Sequence, residues 1–152
     1  MRASGILMHI TSLPGPYGIG TMGKAAYEFV DFLKKAGQKY WQILPLTPTG
    51  YGDSPYQSCS TYGGNHYLID LDLLAEQGLL KPDEIAACDW GSDPGRVDFG
   101  LLYASRLKVL RLAYDRFRDW EALEAFCREN DHWLPDFALF MALKEQNNGA
   151  PW

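Results

Sequence analysis

Two short apolar runs bracket a helical pattern near the start of the chain, and this arrangement limits the fold more than any other feature. Gly5 to Ile10 is the first run, ended by polar residues, and reads as a buried strand. Thr11 to Gly20 carries too much Pro and Gly for a regular element and reads as a loop. Ala25, Phe29, Val30, Phe32 and Leu33 then fall at helical spacing, with Lys34 and Lys35 in the last turn and Gly37 as a C-cap. Tyr40 to Leu46 reads as a second buried strand. Strand, loop, helix, strand is a βαβ unit, the building block of parallel sheets. Such sheets need several strands and both faces covered. The two runs therefore predict the opening of a larger sheet or barrel. A barrel of eight βα units takes at least about 200 residues, and this chain has 152, so an incomplete barrel is expected.

Beyond Ile69 the pattern turns helical. Leu71 to Gln77 predicts a helix stopped by Gly78, and Lys81 to Ala87 a short one with Pro82 near its start. Leu101 to Arg118 predicts a long helix with Leu102, Leu107, Leu110 and Tyr114 among its apolar positions. Trp120 to Arg128 follows, entered through Asp119 as N-cap, and then Pro135 to Glu145, broken by Asn147-Asn148-Gly149. Trp120, Phe126, Trp133, Phe137 and Phe140 keep helical spacing and are expected in the core. The expected division is residues 1–69 as the βαβ portion and 70–152 as a helical subdomain.

Composition narrows the function. The chain is 47% hydrophobic and 22% charged, which excludes wholesale disorder. A net charge of -5 lacks the basic footprint of a duplex-binding protein or of one that sits on anionic membranes. No window approaches the roughly 18 apolar residues of a membrane span, and the opening residues do not read as a signal peptide. Cys59, Cys88 and Cys127 are odd in number, widely spaced and form no CxxC, so reduced thiols in a cytoplasm are expected, with no metal site.

Several motifs could carry chemistry. Gly18-Ile19-Gly20-Thr21-Met22-Gly23 matches GxGxxG ahead of a helix. In a dinucleotide fold these glycines would follow the strand at once, and an acidic residue would close the second strand. Here Ser12 to Tyr17 intervene and Gln42-Ile43-Leu44-Pro45 holds no acid, so glycines serving an irregular loop are the preferred reading over a nucleotide-binding oxidoreductase. Pro48 to Ser58 follows the second predicted strand, where barrel enzymes place their sites. Its tyrosines suit sugar recognition, since a ring packs on a pyranose while the hydroxyl forms hydrogen bonds. An ordered turn, with Asp53 capping backbone amides and Pro55 stiffening the loop, accounts for the same residues equally well. Retaining glycosidic chemistry needs two carboxylates about 5–5.5 Å apart. None stands close to Asp53 in sequence, so Asp53 reads as structural or binding. Asp70 and Asp72 read as the start of a helix rather than a metal pair. His9, His66 and His132 are scattered singly and read as structural.

With these residues in view, the chain resembles the 4-alpha-glucanotransferases, also called amylomaltases or disproportionating enzymes. The resemblance is carried by His9 through Gly20, Tyr40 to Leu46, Thr49 to Ser58, Tyr67 to Leu71, Asp98 to Tyr103 and Ala138 to Lys144. It implies an α/β fold, the start of a (β/α)8 TIM barrel of the alpha-amylase clan with an inserted, mostly helical subdomain. It implies transfer of a 1,4-alpha-glucan segment to the 4-hydroxyl of another glucan or of glucose, by a retaining double displacement that needs no cofactor. The family's Asp nucleophile, Glu acid/base and stabilising Asp come from later strands, so the resemblance puts no catalytic residue in this chain. It implies an N-terminal portion, inactive alone, with the remainder of its own barrel missing. A non-catalytic glucan-binding module is the alternative. The resemblance places Tyr56 and Ser54 against maltodextrin at the cleavage point, and Tyr51 with Tyr103 at a secondary glucan site; Asp53 joins them as a substrate-contacting residue. Cys59 stands where the family has an aromatic, Thr61-Tyr62-Gly63 replaces a frequent Ala-Phe-Ala, and His66 replaces a common Pro. These departures are expected to touch loop packing more than the sugar-facing side.

Overall fold

The computed structural model describes residues 2–50 and 52–150. Strand β1 (Gly5–Leu7) and strand β2 (Tyr40–Gln42) pair in parallel, with Gly5 opposite Tyr40 and Leu7 opposite Gln42. Helix α1 (Lys24–Lys35) makes the crossover, so the βαβ unit is present. Gly5 is needed at its place, because a Cβ there would stand 2.5 Å from the carbonyl oxygen of Tyr40. Gly37, with φ of 72°, ends α1: its N–H donates to the Lys34 carbonyl, and the N–H of Gln38 reaches back to Leu33.

Both strands differ from expectation in length and burial. Each has three residues, and Ile10 falls in a 3-10 turn (Ile10–Ser12) instead of extending β1. β1 is exposed throughout, with Leu7 61% accessible. The reason is that each strand has one neighbour, so one backbone edge of each carries no ladder bonds among the described residues. Among the described residues, those beyond Gln42 have no partner strand to hold them extended.

The remaining helices are α2 (Leu71–Glu76), α3 (Pro82–Ala86), α4 (Phe99–Arg116), α5 (Trp120–Glu129) and α6 (Leu134–Gln146). Asp70, Asp98 and Asp119 cap α2, α4 and α5, each side chain accepting the N–H three residues on. Three apolar clusters hold these elements. One packs Ile10, Leu13 and Leu68 with Phe29 of α1 and Trp41 of β2. A second joins Leu71, Leu80 and Ile85 to Val109 and Ala113 of α4, with Tyr17 and Trp90 against it. A third sets Ile19 and Tyr67 on Leu102.

The buried face of α4 is Leu102, Ser105, Arg106, Val109 and Ala113, whereas Leu107 and Tyr114, expected inward, point to solvent. Neither α5 nor α6 has a fully buried residue, so the aromatic stripe is a half-open surface and not a core; Trp120 and Phe126 are exposed. No second layer covers those helices among the described residues. No described helix is long and apolar enough to cross a membrane.

Candidate functional site

The loop after β2 is closed by its own backbone. Thr49 and Ser58 form an antiparallel bridge, and the N–H of Gly50 donates to the Gln57 carbonyl at 3.0 Å. The turn between them puts Asp53 at a φ of 55°, a left-handed conformation that aspartate, like asparagine, tolerates better than most residues with a side chain. Ser54 Oγ accepts the N–H of Tyr56 at 3.4 Å and stiffens the next step. Tyr56 itself projects 74% exposed.

Among the described residues Asp53 caps no backbone amide, where the turn reading expected it to. Its Oδ1 instead accepts the hydroxyl of Tyr103 from α4, fifty positions away in sequence. This bond ties the loop to the helix and fixes the half-exposed Tyr103 ring. Burial, then the hydrogen bond and charge of Asp53, push the Tyr103 phenol up to about 12. Tyr103 lies 5.9 Å from the ring of Tyr67, which is buried and continues the contact to His66 at 4.3 Å. The structure thus brings Asp53, Ser54, Tyr56 and Tyr103 into one loop-and-helix unit. Tyr51 lies outside the described residues.

Beneath this unit sits Arg106, fully buried on α4. Its guanidinium donates to the carbonyls of Tyr67, at 2.9 Å, and Ile69, and lies 6.0 Å from the centre of the Trp90 ring. Its Nε and Nη1 have no partner among the described residues. Burial pulls it down to about 10, while Asp70, Tyr17 and Tyr67 act the other way. Sequence inspection did not single out Arg106. The available signal was its position: 102, 106, 109 and 113 form one helical stripe, and an arginine occupies an apolar place in it.

The glycine motif takes another role than phosphate binding. Gly23 is the N-cap of α1, and a Cβ there would meet Asp70 Oδ2 at 1.9 Å. The carboxylate that caps α2 therefore also occupies the N-terminus of α1, and Thr21 Oγ1 donates to it at 2.5 Å. Asp72 accepts the Tyr17 hydroxyl at 2.5 Å. Burial, then that bond, push Tyr17 up to about 12. His9 Nδ1 accepts the N–H of Leu44 at 3.3 Å, holding the chain after β2, and burial lowers its imidazole.

The fold has a close counterpart. An amylomaltase from Streptococcus agalactiae, solved in complex with acarbose, superposes with a TM-score of 0.94 at 49% identity, covering 99% of this chain and 31% of that one. The class is therefore that of an amylomaltase's architecture, of which the described residues hold one βαβ unit and a set of helices. The chain belongs to the 4-alpha-glucanotransferase family, whose model matches residues 8–152. A 4-alpha-glucanotransferase from Clostridium butyricum is 53% identical over 95% of this chain, and one from Thermus thermophilus 52% identical over 99%. The chain spans about 30% of the length of each.

Proposed function

We propose that this chain supplies a glucan-contacting face of a 4-alpha-glucanotransferase. Residues 1–69 open the (β/α)8 barrel, and 70–152 form the helical subdomain inserted into it. The activity is transfer of a 1,4-alpha-glucan segment between maltodextrins, and the setting is cytoplasmic, in keeping with Cys59, Cys88 and Cys127 being free. The observation that carries the reading is the Asp53–Tyr103 bond. It ties the bridged loop to α4, and from this support the exposed rings of Tyr56 and Tyr103 offer flat apolar faces to a sugar.

Asp53 is spoken for by Tyr103 and acts as a holder, not as a nucleophile. A retaining double displacement needs a nucleophile and a separate acid/base at close range. Asp53 provides no such pair, and we assign the catalytic carboxylates to the parts of the family's enzymes that this chain does not span. Maltotriose incubated with the 152-residue chain should yield neither glucose nor longer glucans; turnover would overturn the assignment of the carboxylates. Saturation-transfer NMR with maltoheptaose should show contact at the sugar ring protons, reduced in Tyr56→Ala and Tyr103→Ala. No transfer in the unaltered chain would remove the glucan-contacting reading.

A further inference from the structure

A second group of rings lies on the loop that follows Ser58, apart from Tyr56 and Tyr103. Tyr62 is 63% exposed, yet its ring and backbone are both held. Ser60 Oγ accepts the N–H groups of Tyr62 and Gly63, at 3.1 and 2.9 Å. Gly63 closes against α6 so tightly that a Cβ there would stand 2.5 Å from Cζ of Phe137. This approach lays the Tyr62 ring on Trp133, with centroids 5.7 Å apart and planes 22° from parallel. Trp133 is fixed in turn, its Nε1 donating to Asn130 Oδ1 at 2.9 Å, and His132 meets the Tyr62 ring edge-on at 5.6 Å.

What sets Tyr62 apart from the other exposed rings is its support by Trp133, His132 and Ser60. The ring keeps most of its surface open while its orientation is set in advance, so little side-chain freedom remains to be lost on binding. It stands at a cavity of about 450 Å³ that also includes Thr47, Ser58, Ser60 and Thr61. That volume is within the usual range of small-ligand sites, roughly 300–1,000 Å³. No lining residue carries a charge, which disfavours phosphates, carboxylates and cations. Ser58, Ser60 and Thr61 bring hydroxyl groups to its wall, that of Thr61 on an exposed residue, while the Thr47 hydroxyl lies behind the surface. An aromatic face beside neutral hydroxyls matches a ligand with apolar faces and many hydroxyl groups.

We propose that Tyr62, backed by Trp133, is a platform for one pyranose ring of a neutral α-glucan, with the exposed Thr61 hydroxyl exchanging hydrogen bonds with its hydroxyls and Ser60 Oγ, which already accepts two N–H groups, donating to one of them. The proposal rests on the reading that the chain handles glucans, but uses residues separate from the Asp53–Tyr103 unit. The test is a titration of the isotope-labelled 152-residue chain with maltotetraose, following the Trp133 indole N–H and the Tyr56, Tyr62 and Tyr103 ring signals. Retention on amylose resin, which does not depend on oligomeric state, is measured alongside. Trp133 and Tyr62 should shift together, and Tyr62→Ala should weaken retention about fivefold or more while Tyr62→Phe keeps it. If Tyr56 or Tyr103 shifts while Trp133 and Tyr62 stay still, or if Tyr62→Ala is retained as well as the unaltered chain, the platform is overturned and the glucan reading stands. If no signal shifts and nothing is retained, both fall.

Discussion

Arg106 shows how a single side chain can serve packing and polarity at once. Its stem fills an apolar position of α4, and its guanidinium satisfies the carbonyls of Tyr67 and Ile69. Arg106→Ala would leave those carbonyls unpaired and open a cavity, so urea unfolding should show a loss of about 3 kcal/mol or more. A loss under about 1 kcal/mol would mean the bonds are replaced by water. His66 makes a prediction in pH. Burial, then the charge of Arg106, lowers its imidazole from 6.5, and its Nε2 is buried without a partner among the described residues. The folded state thus binds fewer protons than the unfolded one just below pH 6.5. Stability is full above that value and falls as the pH drops through it. The urea midpoint should therefore be lower at about pH 5.5 than at about pH 7.5. His66→Asn should shrink the difference, leaving a part from His9, whose imidazole is lowered in the same sense. An unchanged difference would assign the effect elsewhere.

Helix termini carry unequal weight at the scale of the element. Asp98 and Asp119 make the same kind of cap, at 3.1 and 3.0 Å. α4 contributes Leu102, Val109 and Ala113 to two apolar clusters, whereas α5 has no fully buried residue. Asp98→Ala should lower global stability by about 1 kcal/mol. Asp119→Ala should chiefly raise amide exchange within α5, with little change in the melting midpoint. Equal effects on melting would show α5 to be part of the cooperative core. The helices were legible in sequence to within two residues at each end, because caps and glycine stops are local signals. The faces were not. On α4 the arginine at 106 broke the apolar stripe, so Leu107 and Tyr114 looked inward when they point out. The Asp53–Tyr103 pair was legible only as two separate candidates, since its partners are fifty residues apart and meet through the fold.

The molecule as a whole leaves apolar surface open. Leu7, Tyr40, Tyr27 and Phe32 are all exposed around a two-stranded parallel sheet. Unpaired strand edges beside apolar side chains are sites for association. Sedimentation should show the isolated chain self-associating, and Leu7→Lys with Tyr40→Lys should reduce it. A monodisperse, cooperatively melting monomer would contradict this.

What the sequence by itself determined were the features with short range: the βαβ order, the Asp119 cap, the stops at Gly37 and Gly78, and motifs specific enough to carry the family. Tertiary structure alone decided which side chains face each other. It set Asp70 against Gly23, closing the N-terminus of α1 to phosphate, joined Asp53 to Tyr103, and laid Tyr62 on Trp133. Local periodicity is fixed by backbone geometry over a few residues, whereas these contacts depend on where distant elements are brought by the burial of the whole chain.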